Sequence, residues 1–198
     1  MLSFITMLDI IAIIYFTISN LYLLGNFPLH IYEFLDLRSG YALSDYGILF
    51  ETGTYFSVSA IITGLLCGLD AITNPIYKRR SISKKLYNLH ALSSFALIGI
   101  GIYPTTLIPQ YPSRIIHWLF ALTFMILYPL TRILILKKFN KRISKQILIA
   151  YIITILSAIA ITLGVKFEIV LYPEYLLWLG LMFTIIISKI IITEKKIK

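Results

Sequence analysis

Apolar runs near 20 residues recur six times in a chain of 198 residues. A helix of about 20 apolar residues is long enough to cross the hydrocarbon core of a bilayer. A soluble domain of this length has too little interior to hide six such runs. Composition agrees, with 59% hydrophobic residues, 14% charged residues and a mean hydropathy of +0.87. Bounded by Pro, Gly and charge clusters, the runs predict helices over 2–24, 46–69, 86–103, 114–136, 146–164 and 174–193. The expected fold class is therefore all-α, a polytopic membrane protein with a six-transmembrane-helix bundle as one domain over 1–198. The first run has no Lys or Arg before Arg38 and is longer than the core of a signal peptide, so it reads as a retained helix. Helix starts are expected at the caps Ser44 and Asp45, Ser83, Ser113 and Ser144, and at Pro173-Glu174.

Basic residues set the expected orientation. "NPIYKRRSISKK" carries five, "RILILKKFNKRISK" carries six, and Lys189 with "EKKIK" adds four, so 15 of the 18 lie on one side. Arg38, Arg114 and Lys166 are the rest. The positive-inside rule then puts both termini on the cytoplasmic face of the cytoplasmic membrane. The net charge of +9 reads as attraction to anionic headgroups, and no nucleic-acid partner is expected.

The opposite side differs in kind. It holds five of the seven prolines and both tryptophans, Trp118 and Trp178, as an interfacial belt would. Its first loop, "GNFPLHIYEFLDLRSGYALSD" over 25–45, is apolar enough to form a short interfacial helix.

Polar groups inside the bilayer are costly and turn toward the bundle interior. In the first helix Thr6, Asp9, Thr17 and Asn20 share one sector, an intramembrane polar stripe. In the second, Glu51, Tyr55, Ser59 and Thr63 form an i, i+4 row, and Gly64-xxx-Gly68 permits close helix contact. Arg114 and His117 stand one turn apart at the outer start of the fourth helix, at a depth expected to match Glu51. With Tyr55, Tyr103 and Trp118 nearby, Arg114 is placed to grip a lipid phosphate, with Glu51 and His117 as catalytic acid–base candidates. The simpler reading has Arg114 reaching the headgroups while His117 bonds a neighbouring carbonyl.

The three histidines lie apart, His30 in an outer loop, His90 at an inner helix end and His117 at an outer one, so neither haem nor a metal site is expected. Single Cys67 excludes an intrachain disulfide and reads as a small packing residue. No phosphate loop, nucleophile elbow or zinc-protease helix appears, and no cofactor is expected. Pro129 after Tyr128 should kink the fourth helix, and Ser157, Ala160 and Gly164 give the fifth a small-residue face.

The third helix ending "GIGIYP" (Gly99, Gly101, Tyr103, Pro104), a short loop, and a helix opening "RIIHWLFALTF" with His117 resemble the six-helix prokaryotic, largely archaeal, membrane family called domain of unknown function 998. The plan is also similar to six-helix eukaryotic membrane proteins of the autophagy-modulator type. The first resemblance implies a six-helix membrane fold with no assigned reaction. An acidic residue is expected after the aromatic-Pro step in that family, and here the position is Thr105.

These observations favour a non-catalytic integral membrane protein, either a lipid-binding module or an accessory subunit of a larger membrane complex. Its expected partners are membrane lipids and a possible complex partner. The alternatives are a membrane-embedded enzyme acting on lipid headgroups at the outer leaflet through Glu51, Arg114 and His117, and a small transporter using the Asp9 and Asn20 stripe with Glu51.

Overall fold

The computed structural model describes residues 7–27, 46–47, 50–74, 84–103, 111–164 and 171–197. Six helices account for nearly all of them: α1 (Leu8–Asn26), α2 (Phe50–Thr73), α3 (Lys84–Ile102), α4 (Tyr111–Phe139), α5 (Lys141–Gly164) and α6 (Leu171–Ile197). Among the described residues there is no strand. Four stretches are apolar and long enough to cross a bilayer: Leu8–Asn26, Thr52–Thr73, Ile115–Phe139 and Lys141–Ile159. In α6, the described stretch Leu176–Ser188 is apolar as well. The inward side of α3 carries His90, Ser93 and Ser94, all buried, which lowers its apolar character. The molecule is an α-helical membrane bundle.

The expected helices and the observed ones coincide within a few residues, but their starts differ for local reasons. Ser113 lies inside α4, which begins at Tyr111. Ser144 lies inside α5, whose cap is Asn140: its Oδ1 accepts the Ile143 N–H at 3.1 Å, the bond an N-cap side chain makes to the third helical residue. Ser144 instead donates to Ile133 O at 2.8 Å, stapling the start of α5 to the end of α4. Ser44, Asp45, Ser83, His30 and the expected interfacial helix of 25–45 lie outside the described residues, except that 25 and 26 end α1 and Phe27 caps it.

Helix contacts follow the chain order α1–α2–α3–α4, with α4 also touching α5 and α6. α2 and α3 pack most intimately, and glycines allow it. A Cβ at Gly64 would sit 2.9 Å from both Ile98 N and Ser94 O, and one at Gly101 would sit 2.6 Å from Ser57 O. Such distances are below any real Cβ contact, so only glycine lets the two backbones meet there. Gly68, the second glycine of the Gly-xxx-Gly pair, has ordinary space, its nearest neighbour being Ser94 Cβ at 3.8 Å. The close approach of α5 and α6 runs through Gly180, where a Cβ would meet Thr154 Cγ2 at 2.8 Å. On the expected small-residue face of α5, Ser157 is half-buried, while the side chains of Ala160 and Gly164 lie outside those described.

An aromatic seam ties the helices centrally. The Phe16 ring of α1 lies 4.8 Å from that of Trp178 on α6 and 6.1 Å from Phe56 on α2. Phe124 of α4 stacks on Trp178 at 6.3 Å. Trp178 Nε1 donates to Thr17 Oγ1 at 2.7 Å, so its one polar atom is satisfied within the same seam.

α4 passes through Pro129 as one helix. Proline has no N–H, so the carbonyl four residues earlier, Met125 O, loses its helical donor. Tyr151 of α5 supplies the replacement, its hydroxyl donating to Met125 O at 2.7 Å. α5 otherwise contributes little to the core: Leu148, Ile149, Ile152, Ile153, Leu156 and Ile159 all face outward.

Candidate functional site

Four helices bring their charged and hydrogen-bonding side chains together at one end of the bundle. Successive helices reverse direction, so the first turn of α1, the last turns of α2, the second turn of α3 and the last third of α4 share that end. α1 contributes Asp9, in the first turn where the positive end of the helix dipole favours a carboxylate. α2 contributes Cys67 and Asp70, at i and i+3 on one face, and Asn74 follows at i+7 just past its end. α3 contributes His90, and α4 contributes Tyr128 and Arg132, one turn apart.

Arg132 is the hub. Its Nη2 stands 2.6 Å from Asp9 Oδ2 and 3.1 Å from Asp70 Oδ2, an ion pair to each of two neighbouring helices. The same nitrogen lies 3.3 Å from His90 Nε2 and 3.3 Å from the Tyr128 hydroxyl. One guanidinium nitrogen therefore joins α4 to α1, α2 and α3. The guanidinium also sits over the Tyr128 ring, 5.3 Å from its centre. The His90 ring meets the Tyr128 ring edge-on at 5.2 Å.

Further hydrogen bonds hold the carboxylates and the phenol in place. Asn74 Nδ2 donates to Asp70 Oδ1 at 3.1 Å, and the Tyr128 hydroxyl donates to Cys67 Sγ at 3.4 Å. The His90 carbonyl accepts from Ser93 and Ser94 at 2.7 and 2.9 Å. Asp9, Asp70 and His90 are 0% exposed and Arg132 3%, so the cluster is sealed inside the protein. Charges this deep persist only when paired, and here one cation faces two carboxylates.

Of the sequence candidates, Asp9 belongs to this cluster, and Thr17, Asn20, Tyr55, Tyr103, His117 and Trp118 lie elsewhere. In the α1 stripe, Asp9 and Asn20 are buried and Thr17 half-buried, so these three turn inward, while Thr6 lies outside the described residues. Its members have separate partners: Asp9 joins Arg132, Thr17 joins Trp178, and Asn20 Nδ2 donates to Phe16 O at 2.8 Å. In the α2 row, Ser59 and Thr63 are buried, with hydroxyls bonded to their own helix at Phe56 O and Ser59 O. Tyr55 is 42% exposed and pairs its ring with Tyr22 at 5.6 Å. An i, i+4 row drifts about 40° per step around a helix, which carries it from the outer surface at Tyr55 to the interior at Thr63.

At the other end of the bundle, His117 is buried and its Nδ1 donates to Tyr103 O at 2.8 Å, tying the start of α4 to the end of α3. Tyr103 and Trp118 are 40% and 44% exposed, and the Tyr103 ring stacks on Phe120 at 6.0 Å. The side chains of Glu51 and Arg114 lie outside those described. Among the described residues no group of three or more His, Cys, Asp or Glu side chains is placed to hold a metal ion.

Arg132, Asp70, His90 and Tyr128 are the residues that sequence reasoning passed over. Arg132 reads as the first of a basic loop run and His90 as a helix-end residue. The available signal was depth, since Arg132 lies two turns inside the end of α4 and Asp70 one turn inside the end of α2. An arginine and two aspartates at matching depth on helices that share an end must find each other. No curated protein and no solved structure matches the chain. Residues 37–192 match the family described as Protein of unknown function (DUF998), a span that takes in α2 to α5 and most of α6, and the chain belongs to that family.

Proposed function

We propose that this chain is a non-catalytic module of the cytoplasmic membrane, with both termini cytoplasmic, that contacts lipid or a neighbouring membrane subunit through its outer apolar faces. One observation carries the reading. The ionic side chains described within the bundle are spent on each other in a sealed cluster, whereas α5 presents six large aliphatic side chains outward. A cluster closed to solvent holds helices together, and a helix with so little core contact has surface free for lipid or another protein.

The test is a photo-crosslinking side chain at Ile153 on α5, with Leu92 on α3 as the control position, in the native membrane. Both sites are exposed. Crosslinking from Ile153 to one membrane protein at fixed stoichiometry supports an accessory subunit. Capture of one lipid class supports a lipid-binding module. Identical, unselective lipid labelling from both positions contradicts the proposal.

A second reading, an enzyme acting on lipid headgroups at the outer leaflet, has one observation in its favour. The Tyr103 carbonyl holds His117 Nδ1 as the protonated nitrogen, which leaves Nε2 as the basic one. Lipid turnover that is lost in a folded Glu51→Ala, His117→Ala double variant would favour the enzyme over the module.

A further inference from the structure

The turn from α4 to α5 gathers cations at the surface. Lys137 and Lys138 close α4, and Lys141, Arg142 and Lys145 open α5. All five are exposed, and none makes a side-chain hydrogen bond or ion pair among the described residues. The acidic residues of this end are Asp9 and Asp70, both buried at the Arg132 cluster, and Glu194, beside Lys195 and Lys196 near the end of α6. The first turn of α5 holds no acid, so its cations oppose the positive end of the helix dipole. An anion beside them reverses the sign of that interaction. At about 100° per residue, Lys141, Arg142 and Lys145 share one sector of roughly 140° with the six outward aliphatic side chains from Leu148 to Ile159. That aliphatic strip is about 16 Å long at 1.5 Å per residue, close to the ~15 Å hydrocarbon depth of one leaflet. One face of α5 therefore has a cationic end and an aliphatic length that match the two parts of a single phospholipid.

We infer that this face binds a phospholipid whose headgroup carries a net negative charge, in the leaflet next to the basic loops. The headgroup phosphate sits on Lys141, Arg142 and Lys145, and a hydrocarbon chain lies along Leu148 to Ile159. The inference rests on the proposed contact of the α5 face and names the class of lipid that takes it. Arg142 offers a planar fork that suits phosphate oxygens, and the two lysines add charge without fixed geometry. A zwitterionic headgroup cancels its own phosphate, so the net-negative one gains more from three cations. A second copy of the chain is the poorer occupant. Two copies related by a two-fold axis along the membrane normal would set the same three cations against each other at one level.

The experiment places a photo-crosslinking side chain at Ile149, near the cationic end of the strip, or at Leu21 on α1, toward the opposite end of the bundle; both positions are exposed. The full chain is held in nanodiscs of equal parts phosphatidylglycerol and phosphatidylcholine with the same acyl chains, and mass spectrometry counts the captured lipids. The expected result is a phosphatidylglycerol preference at Ile149 at least about fivefold above that at Leu21, the worth of one Lys or Arg near an anionic surface. The preference should fall to near parity in the triple variant Lys141→Gln, Arg142→Gln, Lys145→Gln, whose altered side chains are exposed and outside the core. Parity at Ile149 in the otherwise unchanged protein would overturn the inference, and that result needs no charge variant to fold. A preference that survives the triple variant, or capture of a second copy of the chain in place of lipid, would overturn it as well. Each of these results leaves the module reading to its own test at Ile153, where capture of one membrane protein in the native membrane would still uphold it.

Discussion

Replacing Arg132 by methionine removes the guanidinium and keeps most of the side chain's volume. If its contacts were ordinary interhelical hydrogen bonds, the three that reach α1, α2 and α3 would sum to about 2 kcal/mol at the ~0.6 kcal/mol each that such bonds average in membrane bundles. The larger effect is what remains behind. Asp9 and Asp70 are fully buried, and stripping a buried charge of its partner costs about 3–5 kcal/mol. The expected loss for Arg132→Met is therefore about 3–5 kcal/mol, measured by reversible unfolding in mixed micelles or by steric trapping in bicelles at neutral pH. The triple variant Asp9→Asn, Asp70→Asn, Arg132→Met removes these two carboxylate charges together with the guanidinium, and it should recover more than half of that loss. A loss below about 1 kcal/mol for Arg132→Met, or a triple variant no more stable than the single one, would refute the assignment of Arg132 as the hub.

Three other perturbations probe the bundle. Tyr151→Phe removes the donor to Met125 O and should cost about 1–2 kcal/mol, but almost nothing in a Pro129→Ala background, where the restored backbone N–H at position 129 can serve that carbonyl again; a double-mutant cycle on unfolding free energy measures the coupling. Gly64→Ala should destabilise by about 1–3 kcal/mol because its Cβ meets the α3 backbone. Gly68→Ala has room and should be neutral or stabilising by up to about 1 kcal/mol, so thermal midpoints of the two variants should move in different directions or by clearly different amounts. Asn140→Ala should cost about 1 kcal/mol through loss of the α5 cap and speed amide exchange at Ile143, whereas Ser144→Ala should leave that exchange unchanged.

The helices were legible in the sequence because apolar runs of spanning length, interrupted by Pro, Gly and charges, encode them directly. Their caps were less so. Asn140 and Ser144 are both good capping residues, and which one caps depends on Ser144 having Ile133 O within reach across the turn. The inward face of α1 followed from helical periodicity, but the partner of Asp9 did not, because it comes from α4, more than a hundred residues away. His90 and Arg132 sit near basic loops, where local sequence reads as water-facing, and only their depth in the helices turns them inward. Tyr55 lies on the outer surface for a geometric reason, since the i, i+4 row that runs through it winds around α2 instead of keeping to one face. Pro129 announced a kink, and the tyrosine that serves the carbonyl it leaves without a donor lay on the next helix.

The hub role of Arg132 is tested most directly by a dipolar-recoupling measurement between labelled arginine guanidinium nitrogens and labelled aspartate carboxyl carbons, on the full chain in a lipid bilayer by solid-state NMR. The expected result is a strong coupling, at hydrogen-bonding range, that disappears in Arg132→Lys and weakens in either Asp9→Asn or Asp70→Asn. The same coupling persisting unchanged in Arg132→Lys, or no coupling at all in the wild-type protein, would contradict it.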